Sequence, residues 1–228
     1  MTADRRRAVA LVTARDEEDR VGATVGSLRA LAVDEVLVVD DGSSDGTAAA
    51  ALAAGATVLR IPGHAGKGKA MEGALRRLPP ADLWLFADAD LGETAAGLGS
   101  LLDVVREGRA DLAVGMFPPQ DGGGFGMVKR ASAASIRLLG RFEVEEPLSG
   151  QRALTGACLS VVRPLAGGFG VETAMTIDAV RAGMRVVEVP IPGLAHRPTG
   201  RRLSGFVHRG RQGVQIAGAV AARAVRHR

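Results

Sequence analysis

The chain has 228 residues, 46% of them hydrophobic, a single cysteine and a formal net charge of +4. That length and apolar content suit one large folded domain, and a lone cysteine excludes an internal disulfide and points to a reducing, cytoplasmic setting. No apolar run approaches the roughly 18 residues expected of a membrane span.

From the start, Arg5-Arg6-Arg7 ahead of an apolar run imitates a secretory signal. The run ends at once in Ala14-Arg15-Asp16-Glu17-Glu18-Asp19, so Val9 to Val12 reads as a first strand. Further strands are expected at Glu35 to Val39, Thr57 to Ile61, Leu83 to Phe86 and Leu112 to Val114. They alternate with helices near Thr24 to Leu31, Thr47 to Ala54, Lys69 to Leu78 and Thr94 to Arg106. This alternation predicts an α/β fold, a mostly parallel central sheet with helices on both faces. A loop is marked by Gly122-Gly123-Gly124 beside Pro118-Pro119. Beyond it the pattern is less regular: a helix near Ser132 to Leu139, a short strand near Gln151 to Leu154, a helix near Glu172 to Ala182, a strand at Val186 to Pro190, then basic helices. No internal repeat divides the chain, so residues 1–228 read as one domain with two lobes, 1–115 and 116–228.

The chemistry gathers at strand ends. Leu83-Trp84-Leu85-Phe86-Ala87-Asp88-Ala89-Asp90 drives an apolar strand into two carboxylates. Residues i and i+2 of a strand share a face, so Asp88 and Asp90 are expected to converge at the carboxyl edge of the sheet, where open α/β sheets bind ligands. Paired oxygens there suit Mg²⁺ or Mn²⁺ completed by substrate phosphates; the alternative is one Asp capping a helix and the other solvated. Asp40 and Asp41 follow another buried strand and could accept from a base imino group or a ribose hydroxyl, while Ser44 or Asp45 can cap the next helix. Gly63-His64-Ala65-Gly66-Lys67-Gly68-Lys69-Ala70 nearly spells a nucleotide-triphosphate loop, but Ala70 stands where that loop has a metal-binding hydroxyl. Its amides and Lys67 could still meet a diphosphate at a helix start. A P-loop NTPase is therefore one alternative, and a non-catalytic basic binder of polyanions another.

Taken in order, Thr13-Ala14-Arg15-Asp16-Glu17, Val38 to Thr47, Gly66-Lys67-Gly68-Lys69-Ala70 and Asp88-Ala89-Asp90-Leu91 resemble the signatures of family 2 glycosyltransferases with the GT-A fold. Gly168-Phe169-Gly170-Val171-Glu172, followed by Val186 to Ile191, is similar to the polyprenyl-phosphate sugar synthases and the glucosyl-phosphoglycerate synthases. The resemblance implies a nucleotide-sugar-binding part over 1–115 and an acceptor-binding part over 116–228. It implies metal-dependent hexose transfer from a UDP- or GDP-linked sugar to a phosphate-bearing acceptor, either a polyprenyl phosphate or a small phosphorylated metabolite. Nucleotide-sugar contacts would fall to Ala14, Arg15, Glu17, Asp40, Asp41, Lys67, Asp88 and Arg201. Asp90, with Asp88, would hold the metal and serve catalysis together with Glu172. Polyprenyl-phosphate members often have Gln where this chain has Gly92, and His196 is the implied replacement ligand. Lys129, Arg130, Ser149 and Arg152 would bind the acceptor, joined by Arg137.

No acidic residue follows Glu188, whereas eight arginines do, from Arg197 to Arg228. Such a tail fits a phosphate-bearing substrate or peripheral contact with an anionic membrane face, and a homodimer partner is an equal use of its small-residue side. Nucleic acid is not expected: the tail offers Phe206 alone for stacking, and the chain has no tyrosine.

Overall fold

The computed structural model describes residues 6–118, 126–196 and 218–223. Strand β1 (Ala8–Ala14) is apolar almost throughout and buried on both faces, as a central parallel strand must be. It pairs in parallel with β2 (Glu35–Asp40) on one side and β4 (Leu83–Asp88) on the other. Strand β3 (Thr57–Arg60) closes one edge, and β6 (Arg152–Thr155), β5 (Leu112–Met116) and β7 (Val186–Pro190) extend the other. The order is β3-β2-β1-β4-β6-β5-β7, all parallel except β6, which runs antiparallel to both β4 and β5. A seven-stranded mixed sheet covered on both faces is the architecture expected, with one reversed strand that residue patterning does not reveal.

The period-two alternation of β1 separates two cores. Ala8, Ala10, Val12 and Ala14 join a cluster with Val21, Val25 and Leu28 of α1 (Glu18–Arg29), Ala51 of α2 (Thr47–Ala53) and Leu101, Leu102 and Val105 of α4 (Gly99–Arg106). Val9 and Leu11 face the opposite layer, with Ala70, Met71 and Ala74 of α3 (Lys67–Leu75), Leu159 and Val162 of α6 (Gly156–Val162) and Val171 and Met175 of α7 (Val171–Arg181). Helix α5 (Gly126–Gly140) packs on α7, burying Ser132 and Ile136.

Several elements depart from the sequence reading, among them α5, which starts at Gly126 rather than Ser132, and α3, which runs Lys67–Leu75 rather than Lys69 to Leu78. Helix α1 begins at Glu18 rather than Thr24, because Glu18 and Asp19 sit in its first turn, where carboxylates complement the helix dipole. The helix expected over Thr94 to Arg106 is a 3₁₀ stretch, Ala89–Leu98, followed by α4, with non-helical Gly92 at φ 57° inside it. Helix α6 was not anticipated. Its signal is Thr155, whose Oγ1 accepts from Cys158 N–H at 3.0 Å as an N-cap.

Candidate functional site

Strand order reverses direction around β1: the chain moves outward to β2 and β3, then returns to β4 on the opposite side. Ligands of open α/β sheets bind beyond the carboxyl ends of the strands at such a point. Register puts Asp40 beside Ala14 and Asp88 beside Thr13, so the two acids flank the tip of β1.

Asp88 is the last residue of β4, and the chain then turns into 3₁₀ conformation, so Asp90 does not share a strand face with it. The expected pleat geometry is therefore wrong, although both carboxylates arrive in one place. Thr24 of α1 holds the turn, donating its hydroxyl to Ala89 O and accepting from Gly92 N–H, both at 2.8 Å. Arg20 Nη1 donates to Asp90 O at 3.2 Å. The Asp90 carboxylate meets His196 Nδ1 at 3.2 Å, and the imidazole stacks on Phe117 with centroids 4.2 Å apart. Burial disfavours the imidazolium, yet the bond to Asp90 and the charges of Asp88 and Asp90 outweigh it and raise the His196 pKa above its ordinary value.

Lys67, in the first turn of α3, lies between two acids: Nζ is 2.6 Å from Asp88 Oδ1 and 2.8 Å from Glu172 Oε1. Glu172 stands in the first turn of α7 and is 6% exposed, so this ammonium ties the expected nucleotide side to the expected acceptor side. Burial acts against both charges. Asp88 nonetheless keeps a pKa below the usual carboxylate value, through the Lys67 ammonium, His196 and a hydrogen bond from Gln151. Asp88 and Glu172 likewise raise Lys67 above the ordinary lysine range.

Asp41 is 5% exposed and serves the 63–66 loop: Oδ1 accepts from Ala65 N–H at 2.8 Å, Oδ2 from Gly66 N–H at 2.9 Å, and His64 Nδ1 lies 2.7 Å from Oδ2. Two amides of the stretch that would cradle a triphosphate in a P-loop, those of Ala65 and Gly66, are thus occupied by a carboxylate of the chain itself. Asp40 is wholly buried and accepts from Ser43 N–H at 2.8 Å and Arg60 Nε at 3.0 Å. Asp45 accepts from Thr47 N–H at 3.0 Å, at the start of α2. Ala14 is buried at the end of β1, Arg15 is exposed beside Asp16 at 3.6 Å, and Glu17 N–H donates to Thr47 Oγ1 at 2.8 Å.

On the expected acceptor side, Arg130 and Arg137 are exposed and Lys129 pairs with Glu146. Glu188 of β7 pins that segment by accepting from Glu145 N–H at 2.8 Å and Glu146 N–H at 2.6 Å. Arg152 lies beneath the surface, 1% exposed, donating from Nε to Ser149 O at 2.8 Å and from Nη1 to Thr176 Oγ1 at 2.9 Å. Burial pushes its pKa down to about 10 against the pull of Glu172 and Glu188. Ser149 is also buried. Arg201 and most of the basic tail lie outside the described residues. No described helix is long and apolar enough to cross a membrane.

Sequence reasoning gave no role to Gln151, Phe117 or Arg20. Gln151 is the closest of these to the acids, with Nε2 donating to Asp88 Oδ2 at 2.7 Å. A separate cavity of about 300 Å³ lies at the far end of α7, lined by Arg163, Asp178, Arg181 and Arg223 among others. Its guanidinium groups already bind within the chain: Arg163 to Glu72, Arg223 to Asp178, and Arg181 to Leu139 O and Arg223 O.

The covered seven-stranded sheet with paired acids at its switch point has the architecture of the GT-A class of nucleotide-diphosphate-sugar transferase folds. Residues 9–159 match the model of glycosyl transferase family 2, and the chain belongs to that family. It is 34% identical over 200 residues to glucosyl-3-phosphoglycerate synthase of Mycolicibacterium paratuberculosis, covering 74% of this chain and 58% of that one. It is 28% identical over 179 residues to glycosyltransferase AglJ of Haloferax volcanii, covering 77% and 59%. The chain thus spans under two thirds of the length of these two relatives. Among solved structures, glucosyl-3-phosphoglycerate synthase of Mycobacterium tuberculosis with Mn²⁺, UDP and glucosyl-3-phosphoglycerate superposes with a TM-score of 0.79 at 27% identity. That match covers 96% of this chain and 80% of the other.

Proposed function

We propose that this chain transfers a hexose from a UDP-linked sugar to a phosphate-bearing acceptor, with Mg²⁺ or Mn²⁺ held by Asp90 and His196. The observation that carries the reading is the pairing of Asp90 Oδ1 with His196 Nδ1 at 3.2 Å, beside the Asp88–Lys67–Glu172 network at the switch point. A carboxylate and an imidazole at that spacing fit as neighbouring ligands of one ion. Among the described residues no three His, Cys, Asp or Glu side chains form a metal cluster by themselves. A site with two protein ligands suits ions that keep waters and take further oxygens from substrate phosphates. UDP is favoured over GDP by the mycobacterial structure, and a small phosphorylated acceptor by the synthases to which the chain is similar.

When bound, the ion supplies neutralisation of the charge that grows on the departing diphosphate. The remaining work falls to side chains. Asp90 and His196 fix the position of that charge. Lys67, kept as an ammonium by Asp88 and Glu172, is a second fixed cation at the junction of donor and acceptor sides. Glu172 would receive a proton from an acceptor hydroxyl; an acceptor attacking through phosphate oxygen is already anionic and needs no base. Arg130 and Lys129 remain candidates for the acceptor's phosphate, as do Arg15 and Glu17 for the nucleoside, whereas buried Asp40 and Asp41, whose oxygens already accept from Ser43, Arg60, Ala65 and Gly66, would act by holding the loops around it. Buried Ser149 and Arg152 would act by supporting the segment between α5 and β6.

The rival NTPase reading is weakened by the occupation of the Ala65 and Gly66 amides by Asp41 and by Ala70. The test is a donor screen with Mn²⁺ that measures released nucleoside diphosphate, with phosphoglycerate or a polyprenyl phosphate as acceptor. UDP release that depends on acceptor and metal is expected. ATP hydrolysis dependent on Lys69, with no turnover of any nucleotide sugar, would overturn the proposal.

A further inference from the structure

Gln151 precedes β6 by one residue and is wholly buried. Its carboxamide closes a ring on one residue: Asp88 N–H donates to Oε1 at 3.1 Å, and Nε2 donates to Asp88 Oδ2 at 2.7 Å. The main chain of Gln151 is fixed as well, its carbonyl accepting from Gly115 N–H at 2.8 Å and its N–H donating to Ser149 Oγ at 3.3 Å. Only one orientation of the amide works, because a flip would set Oε1 against the carboxylate and Nε2 against the Asp88 N–H. With Oδ2 committed to Gln151, Asp88 turns Oδ1 to Lys67, which reaches on to Glu172. Gly150 leaves the room this requires: a Cβ there would lie 2.5 Å from Lys67 Nζ and 2.6 Å from Asp88 Oδ2.

We infer that Gln151 is a positioning residue for sugar transfer, holding the Asp88 carboxylate so that Lys67 is fixed between Asp88 and Glu172 while Asp90 and His196 remain separate. The inference rests on the transferase reading. Gln151 does not touch a reacting group in this scheme; it acts through Asp88. It also assigns different work to the two aspartates, Asp88 to the lysine and Asp90 to the ion.

The experiment compares wild type, Gln151→Met and Gln151→Glu, alone and combined with Asp88→Ala. Met keeps the length and removes both hydrogen bonds, whereas Glu sets a carboxylate against Asp88. Both single variants are expected to lower kcat about 10- to 100-fold, the scale of a roughly 1 Å misplacement. The Mn²⁺ concentration that half-saturates UDP binding should stay within about threefold of wild type, since Asp90 and His196 are not reached. In the Asp88→Ala background, Gln151→Met should cost nothing further, because its route is already cut. Losses that multiply in the double variant, or an unchanged kcat in Gln151→Met, would overturn the inference.

Two readouts guard against other failures. Wild type is assayed first: absence of UDP release there disposes of the transferase reading, not of the positioning geometry. A crystal structure of Gln151→Met tests that geometry without turnover, with Lys67 Nζ and Asp88 Oδ1 expected beyond hydrogen-bonding reach and an unmoved pair contradicting it. If Gln151→Met fails to fold, Gln151→Glu, which keeps an acceptor for Asp88 N–H and loses the donor to its carboxylate, is held to the same kcat, Mn²⁺ and crystallographic outcomes.

Discussion

Asp41→Ala removes the acceptor that organises the loop leading into α3. Two main-chain N–H groups, of Ala65 and Gly66, lose a carboxylate at 2.8 and 2.9 Å, and His64 loses its partner at 2.7 Å. Hydrogen bonds to a charged group contribute about 1.5–3 kcal/mol each. Ala65 and Gly66 are only half-buried, so water recovers part of this, leaving a net loss of about 2–4 kcal/mol. For a chain of this size each kcal/mol lowers Tm by about 2–4 °C, which gives a drop of about 4–16 °C. Asp41→Asn keeps one acceptor oxygen and presents an NH₂ to the other donor, so about half that loss is expected. Urea unfolding followed by the fluorescence of Trp84, the chain's sole tryptophan and buried in β4, reads the change directly. Because Gly66 caps the helix that carries Lys67, transfer should fall as well. An unchanged unfolding midpoint in Asp41→Ala would refute the claim that this carboxylate, and no external anion, satisfies the loop.

Glu72 accepts from Arg163, Leu165 N–H and Arg76; burial pushes its pKa up, but these bonds prevail and hold it below the ordinary value of 4.5. Its stabilising effect is therefore complete above the unfolded pKa and fades as pH falls through the lower folded value. The Tm gap between wild type and Glu72→Gln should be constant near neutrality and narrow as pH falls below the ordinary value of 4.5, by scanning calorimetry. Gly68→Ala places a Cβ 1.9 Å from Ala166 O, a backbone atom, so α3 must shift and stability should drop by about 1–3 kcal/mol. Gly73→Ala in the same helix meets nothing within 4 Å and should be neutral or stabilising by up to about 1 kcal/mol. Equal urea midpoints for these two alanine variants would contradict the packing described.

Strands β1, β2, β4 and β5 were legible because each is a short apolar run with turn residues at both ends, and burial on both faces leaves little else for such runs to be. Asp88 and Asp90 were legible as chemistry but placed by the wrong local geometry, since the strand stops at Asp88 and a 3₁₀ turn delivers Asp90. Arg152 announces a charge, yet nothing nearby in sequence says that Thr176, 24 positions on, will receive it beneath the surface. Gln151 was silent for a similar reason: a neutral amide carries no pattern, and its partner lies 63 residues away across the antiparallel pairing of β4 and β6. Local patterning reports which face is apolar, whereas a reversed strand and its side-chain bonds emerge from the assembled sheet.

Calorimetric titration of UDP into wild type and Asp90→Ala, each with and without Mn²⁺, tests most directly whether Asp90 holds the ion that binds the nucleotide. Wild type should bind UDP at least about tenfold more tightly with Mn²⁺, a difference of about 1.4 kcal/mol or more, and Asp90→Ala should show no Mn²⁺ effect. A Mn²⁺ enhancement of the same size in Asp90→Ala, or none in wild type, would contradict the assignment.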